Sequence, residues 1–232
     1  MAVLDVGAGT GAITAGIARA VGPRGSVLGI DRDESMVRAA RERHAGVANL
    51  AFAQSDVLEL RDEARFDVVT AARALQWIER PALALDRMYA ATRPGGRVVV
   101  LEYTHADLMW EPAPPGTVRR FYDAFLGWRA ANGWDNRLGD RLAELVATAG
   151  FQDVGASVED EVAVRGEPGF EDALALWRQV MESLGPTIAR AGFLAGTDLE
   201  AALAEHGSWS KTDARMQRMV LRAADGWRLH GT

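Results

Sequence analysis

A chain of 232 residues that is 48% hydrophobic is long and apolar enough for one full α/β domain with additions, which excludes disorder as its dominant state. A net charge of −6 works against electrostatic capture of nucleic acid or anionic lipid, and the lack of cysteine excludes disulfides and thiolate metal sites. No stretch approaches the roughly 20 apolar residues of a membrane span, and "MAVLDVGAG" has neither the basic flank nor the apolar length of a signal peptide, so a cytoplasmic enzyme or small-molecule binder is expected.

The first short β-branched run, "VLDVG" (3–7), predicts a strand that feeds directly into the glycine-rich turn "GAGTG". "TGAITAGIARAV" then predicts a helix with Ile13, Ile17, Ala20 and Val21 on one face. "SVLGID" (26–31) predicts the second strand. "DESMVRAARERH" predicts a helix capped by Asp33, with its Arg and Glu residues outward and His44 on a solvated face. Further strands are expected at "LAFAQSD" (50–56), "FDVVTA" (66–71) and "RVVVLEY" (97–103), the last after a "PGG" turn. Strand alternating with helix from 3 to 103 predicts a doubly wound, mostly parallel sheet covered on both faces.

After Tyr103 the alternation stops. Residues 104–136 hold a proline-rich turn and an amphipathic helix with Phe121, Phe125 and Trp128 on its buried side; 137–150 predicts a helix closed by Gly150. "FQDVGASVEDEVAV" (151–164) reads as a sixth strand parallel to the others, 168–206 as a second helical excursion, and "ARMQRMVLRAADGWRL" (214–229) as a strand with a hairpin-like "ADG". Ligands of a doubly wound sheet bind outside the carboxyl ends of its strands. Both excursions are expected to leave from that end and to cap the active site of a single domain spanning 1–232.

The glycine turn lets a backbone approach a ligand while the following helix offers free N–H groups. Gly7, Gly9 and Ala12 also satisfy the dinucleotide pattern G-x-G-x-x-G/A, so a nicotinamide-dependent oxidoreductase stays open at this point. Asp5, two residues before the first glycine, would repel a pyrophosphate and suits a cation. S-adenosylmethionine, with a sulfonium, an ammonium and no phosphate, meets that requirement. Asp31 ends the second strand within reach of ribose hydroxyls, and Asp56 with the Val57 N–H ends the third where an adenine edge can be read.

The ordered motifs "VLDVGAGTG", "GIDRDESM", "SDVLEL", "FDVVTAARALQWI" and "TRPGGRVVVLEY" together resemble the class I S-adenosylmethionine-dependent methyltransferases, most closely the branch typified by ubiquinone/menaquinone-biosynthesis C-methyltransferases (methyltransferase type 11). The resemblance implies a Rossmann-like, seven-stranded sheet with an antiparallel last strand, S-adenosylmethionine as cofactor and S-adenosylhomocysteine as product. It implies that Gly7, Gly9 and Gly11 line the methionine portion with Asp5 nearby, that Asp31 and Arg32 flank the ribose, that Met36 packs on the adenine, that Asp56 and Val57 read its edge, and that Ala71 and Gln76 sit near the methionyl group. Relatives carry helices ahead of the first strand that close over the cofactor; only Met1 and Ala2 precede it here, so those lid helices are expected to be missing.

Seven of the 17 aromatic residues fall from Tyr103 to Trp134, which points to an apolar or aromatic methyl acceptor. Tyr103, Trp110, Tyr122, Trp134 and His206 are the expected acceptor-binding residues. Methyl transfer is an in-line displacement that needs a general base only where the nucleophile must lose a proton; His105 is the first candidate and Glu102 the second. The expected function is methylation of an O, N or C atom of a small molecule, without metal, nucleic-acid or membrane partner and with the oligomeric state left open. A protein that binds S-adenosylmethionine without transferring its methyl group is the other alternative.

Overall fold

The computed structural model describes residues 1–230, so the last two positions of the expected 1–232 domain lie outside the described residues. In chain order the elements are β1 (Ala2–Val6), α1 (Ala12–Val21), β2 (Ser26–Asp31), α2 (Glu34–Arg43), β3 (Leu50–Gln54), β4 (Phe66–Ala72), α3 (Pro81–Ala91) and β5 (Thr92–Tyr103). There follow β6 (Met109–Glu111), α4 (Gly116–Ala131), α5 (Leu138–Thr148), β7 (Gln152–Val158), β8 (Glu161–Val164), α6 (Phe170–Arg190), α7 (Gly196–Thr212), β9 (Met216–Met219) and β10 (Leu221–Arg228). They form two compact units: the first takes Met1–Glu102, Leu138–Val158 and, among the described residues, 222–230; the second takes Tyr103–Arg137 and Glu159–Leu221.

The first unit holds a seven-stranded sheet in the order β3-β2-β1-β4-β5-β10-β7. β1 runs parallel to β2 and β4, β2 to β3, and β4 to β5, while β10 is antiparallel to β7. This is the expected mixed, Rossmann-like arrangement. One face of the sheet packs Leu4, Val69, Val98 and Val100 against Leu85 and Met88 of α3 and Leu142 and Val146 of α5, all at most 1% exposed. The other face packs Val3 and Val27 under Ala18 of α1. The strand order reverses beside β1, and in such sheets ligands bind at the carboxyl ends of the strands flanking the reversal, here β1 and β4.

Four local readings of the sequence are corrected. The buried residues of α1 are Thr14, Ala15 and Ala18, and Ile13 is 38% exposed; small side chains on the inner face let the helix settle close to the sheet. "FQDVGASVEDEVAV" is two strands in two sheets, β7 and β8. The run breaks at Asp160, whose carboxylate accepts from the Leu221 N–H at 3.0 Å and from the Arg218 guanidinium. "ADG" does not turn the chain but lies inside β10 at a bulge between Asp225 and Trp227, where a Cβ on Gly226 would come within 2.8 Å of the Phe151 side chain. The "PGG" segment is likewise part of β5: Phe66 pairs with Thr92 and Val68 with Arg97, so residues 93–96 bulge out between them.

The second unit has its own antiparallel sheet, β6-β9-β8, and three packed helices, α4, α6 and α7. Its core contains Phe170, Leu174, Trp209 and Ala214 with Trp110 packed against them. Among the described residues no helix is long and apolar enough to cross a membrane.

Candidate functional site

In the first unit the glycine turn follows β1 without interruption. The N–H groups of Gly7 and Ala8 both donate to the Ile30 carbonyl, at 2.8 and 2.9 Å, which ties the turn to the end of β2 before α1 begins. Gly7, Gly9 and Gly11 have φ of 72°, 53° and 81°, a region that a Cβ penalises. Gly9 differs from its neighbours. Nothing lies within 4 Å of where its Cβ would stand, so its backbone borders open space, whereas a Cβ on Gly7 would come within 2.3 Å of the Ala74 side chain.

The carboxylates are arranged around this turn. Asp31 accepts from the Gly9 N–H through Oδ2 at 2.8 Å and from the Asp33 N–H through Oδ1 at 2.9 Å. Each oxygen retains a second lone pair for another donor. Asp56 caps the short 3₁₀ turn Val57–Glu59 by accepting from the Leu58 N–H at 2.9 Å, and Val57 is buried beneath it. Asp33 caps α2 as expected, and the Ser35 hydroxyl and N–H hold its carboxyl below the usual carboxylate range. Arg32 is exposed and Met36 is 40% exposed on the first turn of α2.

Asp5 is buried, and both of its oxygens are engaged: Thr14 Oγ1 donates to Oδ2 at 2.6 Å and Thr70 Oγ1 to Oδ1 at 2.8 Å. Burial pushes its pKa up, and the two hydroxyls oppose that shift. Asp5 therefore joins β1, β4 and the first turn of α1. Ala71 and Gln76 are buried at the end of β4 and in the 3₁₀ turn Leu75–Trp77, where Gln76 Nε2 donates to the Arg73 carbonyl at 3.1 Å. Glu102, fully buried near the end of β5, accepts the Leu75 N–H at 2.6 Å and so anchors that turn. By register Val6 stands opposite Ile30 and Ala71, and Asp31 opposite Gln54. The residues expected to meet the cofactor thus line the carboxyl ends of four adjacent strands.

The other candidates lie in the second unit. His105 follows β5 in a 3₁₀ turn, with its ring between those of Tyr103 (5.4 Å) and Phe125 (5.5 Å). Burial, and after it the Arg129 guanidinium, pushes the His105 pKa down to about 3. The Tyr122 hydroxyl donates to the His105 carbonyl at 2.5 Å, and burial holds that phenol far above its ordinary range. Tyr103 donates to the Glu161 carboxylate at 3.2 Å, and Trp110 Nε1 to Gln217 Oε1 at 2.8 Å. Trp110 also meets Tyr122 and Trp177 edge-on, so Tyr103, His105, Trp110 and Tyr122 share one aromatic cluster. Trp134 joins it through Arg129, whose guanidinium lies over both Phe125 and Trp134.

His206 lies on α7, its ring 6.0 Å from that of Trp209; burial first, then Arg178, lowers its pKa. Both ring nitrogens of His206 and the indole nitrogens of Trp177 and Trp209 are buried without a hydrogen-bond partner among the described residues. Sequence reading did not single out Trp177 or Trp209, nor Thr14 and Thr70. Threonines at mid-strand and in the first turn of a helix, both near the lone acidic residue of β1, were the available signal for the latter pair.

Known proteins provide three comparisons. A family model described as a methyltransferase domain matches residues 1–122. The chain is 36% identical over 149 residues to the ubiquinone/menaquinone biosynthesis C-methyltransferase UbiE of Burkholderia mallei (strain SAVP1), covering 61% of this chain and 54% of that one. It spans about half the length of the curated relatives it matches. Haemonchus contortus phosphoethanolamine N-methyltransferase 2, in complex with S-adenosyl-L-methionine, is similar with a TM-score of 0.62 and 18% identity over 99% of this chain and 49% of that one. The [4+2]-cyclase SpnF is similar with a TM-score of 0.55 and 20% identity over 99% of this chain and 76% of that one. At such identities the two structural likenesses speak to the fold alone.

Proposed function

The chain belongs to the methyltransferase-domain family of the class I, S-adenosylmethionine-dependent type, and on that premise we propose that it methylates an O, N or C atom of a small apolar or aromatic molecule. The observation that carries this reading is the open backbone at Gly9 with the Asp31 carboxylate beside it. A turn that a ligand can touch, flanked by a group suited to a ribose diol, fits a nucleoside cofactor. The family match leaves the nicotinamide reading without support.

When bound, S-adenosylmethionine supplies a methyl carbon already activated for displacement by its sulfonium. The chain's own residues then bind and orient. In this reading Asp31 accepts from the ribose hydroxyls with its remaining lone pairs, Met36 packs on the adenine, with Arg32 on the same side, and Asp56 with Val57 meets the adenine edge. Gly7, Gly9 and Gly11 border the methionine portion with Ala71 and Gln76. Asp5 places a buried carboxylate beneath that portion, favourable to the ammonium at long range while its oxygens hold the two threonines.

The second unit carries the acceptor in this reading. A buried polar group without a partner costs about 1–3 kcal/mol. Trp177, His206 and Trp209 bring such nitrogens into an interior of mixed aromatic and aliphatic side chains, which supports an acceptor with a flat apolar skeleton and at least one oxygen. Tyr103, Trp110, Tyr122 and Trp134 supply the aromatic walls. The depressed pKa of His105 supports a neutral role in orienting the acceptor over one in proton removal, and the Leu75 bond gives Glu102 a bracing role beside any chemical one.

Calorimetry with S-adenosylhomocysteine, followed by a labelled-methyl screen of phenolic, quinone-like and polyketide acceptors, tests the proposal. Micromolar binding and label transfer to one class are expected. Binding without transfer to any acceptor would favour a non-methylating protein, and no binding would sink the cofactor assignment.

A further inference from the structure

The charged carboxyl-terminal turn of α2, which the sequence places on a solvated face, reaches the glycine turn. His44 is half-buried, and its Nε2 lies 3.2 Å from the Thr10 carbonyl. A carbonyl can only accept, so the ring nitrogen donates and must carry a proton there. Arg43 Nη1 donates to Thr10 Oγ1 at 3.2 Å. Thr10 stands between two glycines in the left-handed region, Gly9 and Gly11. Such a segment has much conformational freedom to lose and gains most from an external anchor.

The same helix end also builds a floor under the turn. The His44 ring packs on Phe52, with centroids 5.9 Å apart, and the Phe52 carbonyl is gripped by Arg41 through Nε at 3.1 Å and Nη2 at 2.8 Å. A Cβ on Gly11 would come within 2.5 Å of the Phe52 ring and 2.8 Å of the His44 ring, so the turn lies directly on these two side chains. Its Gly9 side stays open, and there the Asp31 carboxylate fixes the Gly9 N–H.

We infer that His44 is a positioning residue for the glycine turn: its Nε2–H holds the Thr10 carbonyl and thereby sets the Gly9–Gly11 backbone to which a cofactor binds. The functional part of this inference rests on the proposed cofactor reading; the structural part does not. His44→Phe keeps a ring on the floor and removes the donor, whereas His44→Gln restores an N–H at similar reach. Amide hydrogen exchange over residues 7–15 in the free protein is expected to rise several-fold in His44→Phe and to recover in His44→Gln. The Kd for S-adenosylhomocysteine is expected to weaken about five- to tenfold and to recover in step, as for one lost hydrogen bond.

Unchanged exchange in His44→Phe, or equal loss in both variants, would overturn the inference. If the unaltered protein does not bind S-adenosylhomocysteine, the cofactor reading fails and the exchange comparison still decides the anchoring role. Should neither variant fold, the ¹⁵N shifts of His44 in the unaltered protein decide it: an Nε2-protonated ring is expected, and a neutral ring protonated only at Nδ1 would overturn it.

Discussion

At the glycine turn the polar groups close on one another: Asp5 takes two threonine hydroxyls, Asp31 takes the Gly9 and Asp33 N–H groups, and His44 reaches the Thr10 carbonyl. In the aromatic core of the second unit Trp110 and Tyr122 are tied internally, while Trp177, His206 and Trp209 hold buried nitrogens with no partner among the described residues. The difference teaches how rigidity is distributed. A closed network fixes backbone before any ligand arrives, so that binding costs less ordering. In the second unit the nitrogens of Trp177, His206 and Trp209, unpartnered among the described residues, leave polar groups unsatisfied inside a packed core, at a cost of about 1–3 kcal/mol each.

The largest test of this contrast is at Asp31. Asp31→Ala removes the acceptor for two backbone N–H groups and for the ribose diol of the proposed cofactor. S-adenosylhomocysteine affinity measured by calorimetry is expected to fall about a hundredfold; a loss below threefold would show that the turn is fixed without it. Asp5→Asn is expected to have a smaller effect, about tenfold in the same measurement. Because the Asp5 pKa is raised in the fold, its ionised form weakens the free protein as pH rises through the ordinary carboxylate value. The asparagine variant should therefore melt no lower than the parent at pH 7. A clear drop in Tm together with unchanged affinity would make Asp5 purely structural.

Most of the first unit was legible because its pattern is local. Most of its parallel strands are short apolar runs, Asp33 is a cap by residue type, and the row Gly7, Asp31, Asp56 follows from strand order. Legibility failed where a residue's partner is remote in sequence. Nothing near Asp160 announces that Arg218 and Leu221 split an apparent strand, and nothing in "RERH" announces that His44 bonds a residue 34 positions away. The polar chemistry of the second unit was hidden for the same reason. The bond of Trp110 to Gln217 spans 107 positions, so sequence alone could not separate an indole that is tied from one that is not.

Asp5 at the glycine turn and the buried histidines of the second unit should also respond to pH with opposite sign. His105 has a folded-state pKa near 3, below its unfolded value of about 6.5, so the folded protein binds fewer protons in between. Its contribution is complete above about pH 6.5 and is lost as pH falls toward 3, at up to about 1.4 kcal/mol per unit. His206 shifts in the same direction. Urea midpoints at pH 7.5 and 5.0 should show this loss, and His105→Phe should reduce it. Asp5 acts in the reverse direction, becoming less costly as acid protonates it. An acid dependence unaltered by His105→Phe would remove the histidine from the account.

The smallest effect tests the contrast most directly, because it reads the indole protons themselves. Trp110 Nε1–H donates to Gln217, whereas the corresponding groups of Trp177 and Trp209 have no partner among the described residues. In a ¹H–¹⁵N spectrum assigned by single Trp→Phe variants, the Trp110 indole proton should lie downfield of the other two. Trp177 and Trp209 are buried and Trp110 is half-buried. If Trp177 and Trp209 resonate with Trp110 in the free protein, internal water already satisfies them and the core is as closed as the glycine turn. If they lie upfield and move downfield only when an oxygen-bearing aromatic such as 2-naphthol is added, and not with naphthalene, the donors are available to a ligand's oxygen, and the closed turn and the receptive core remain physically distinct.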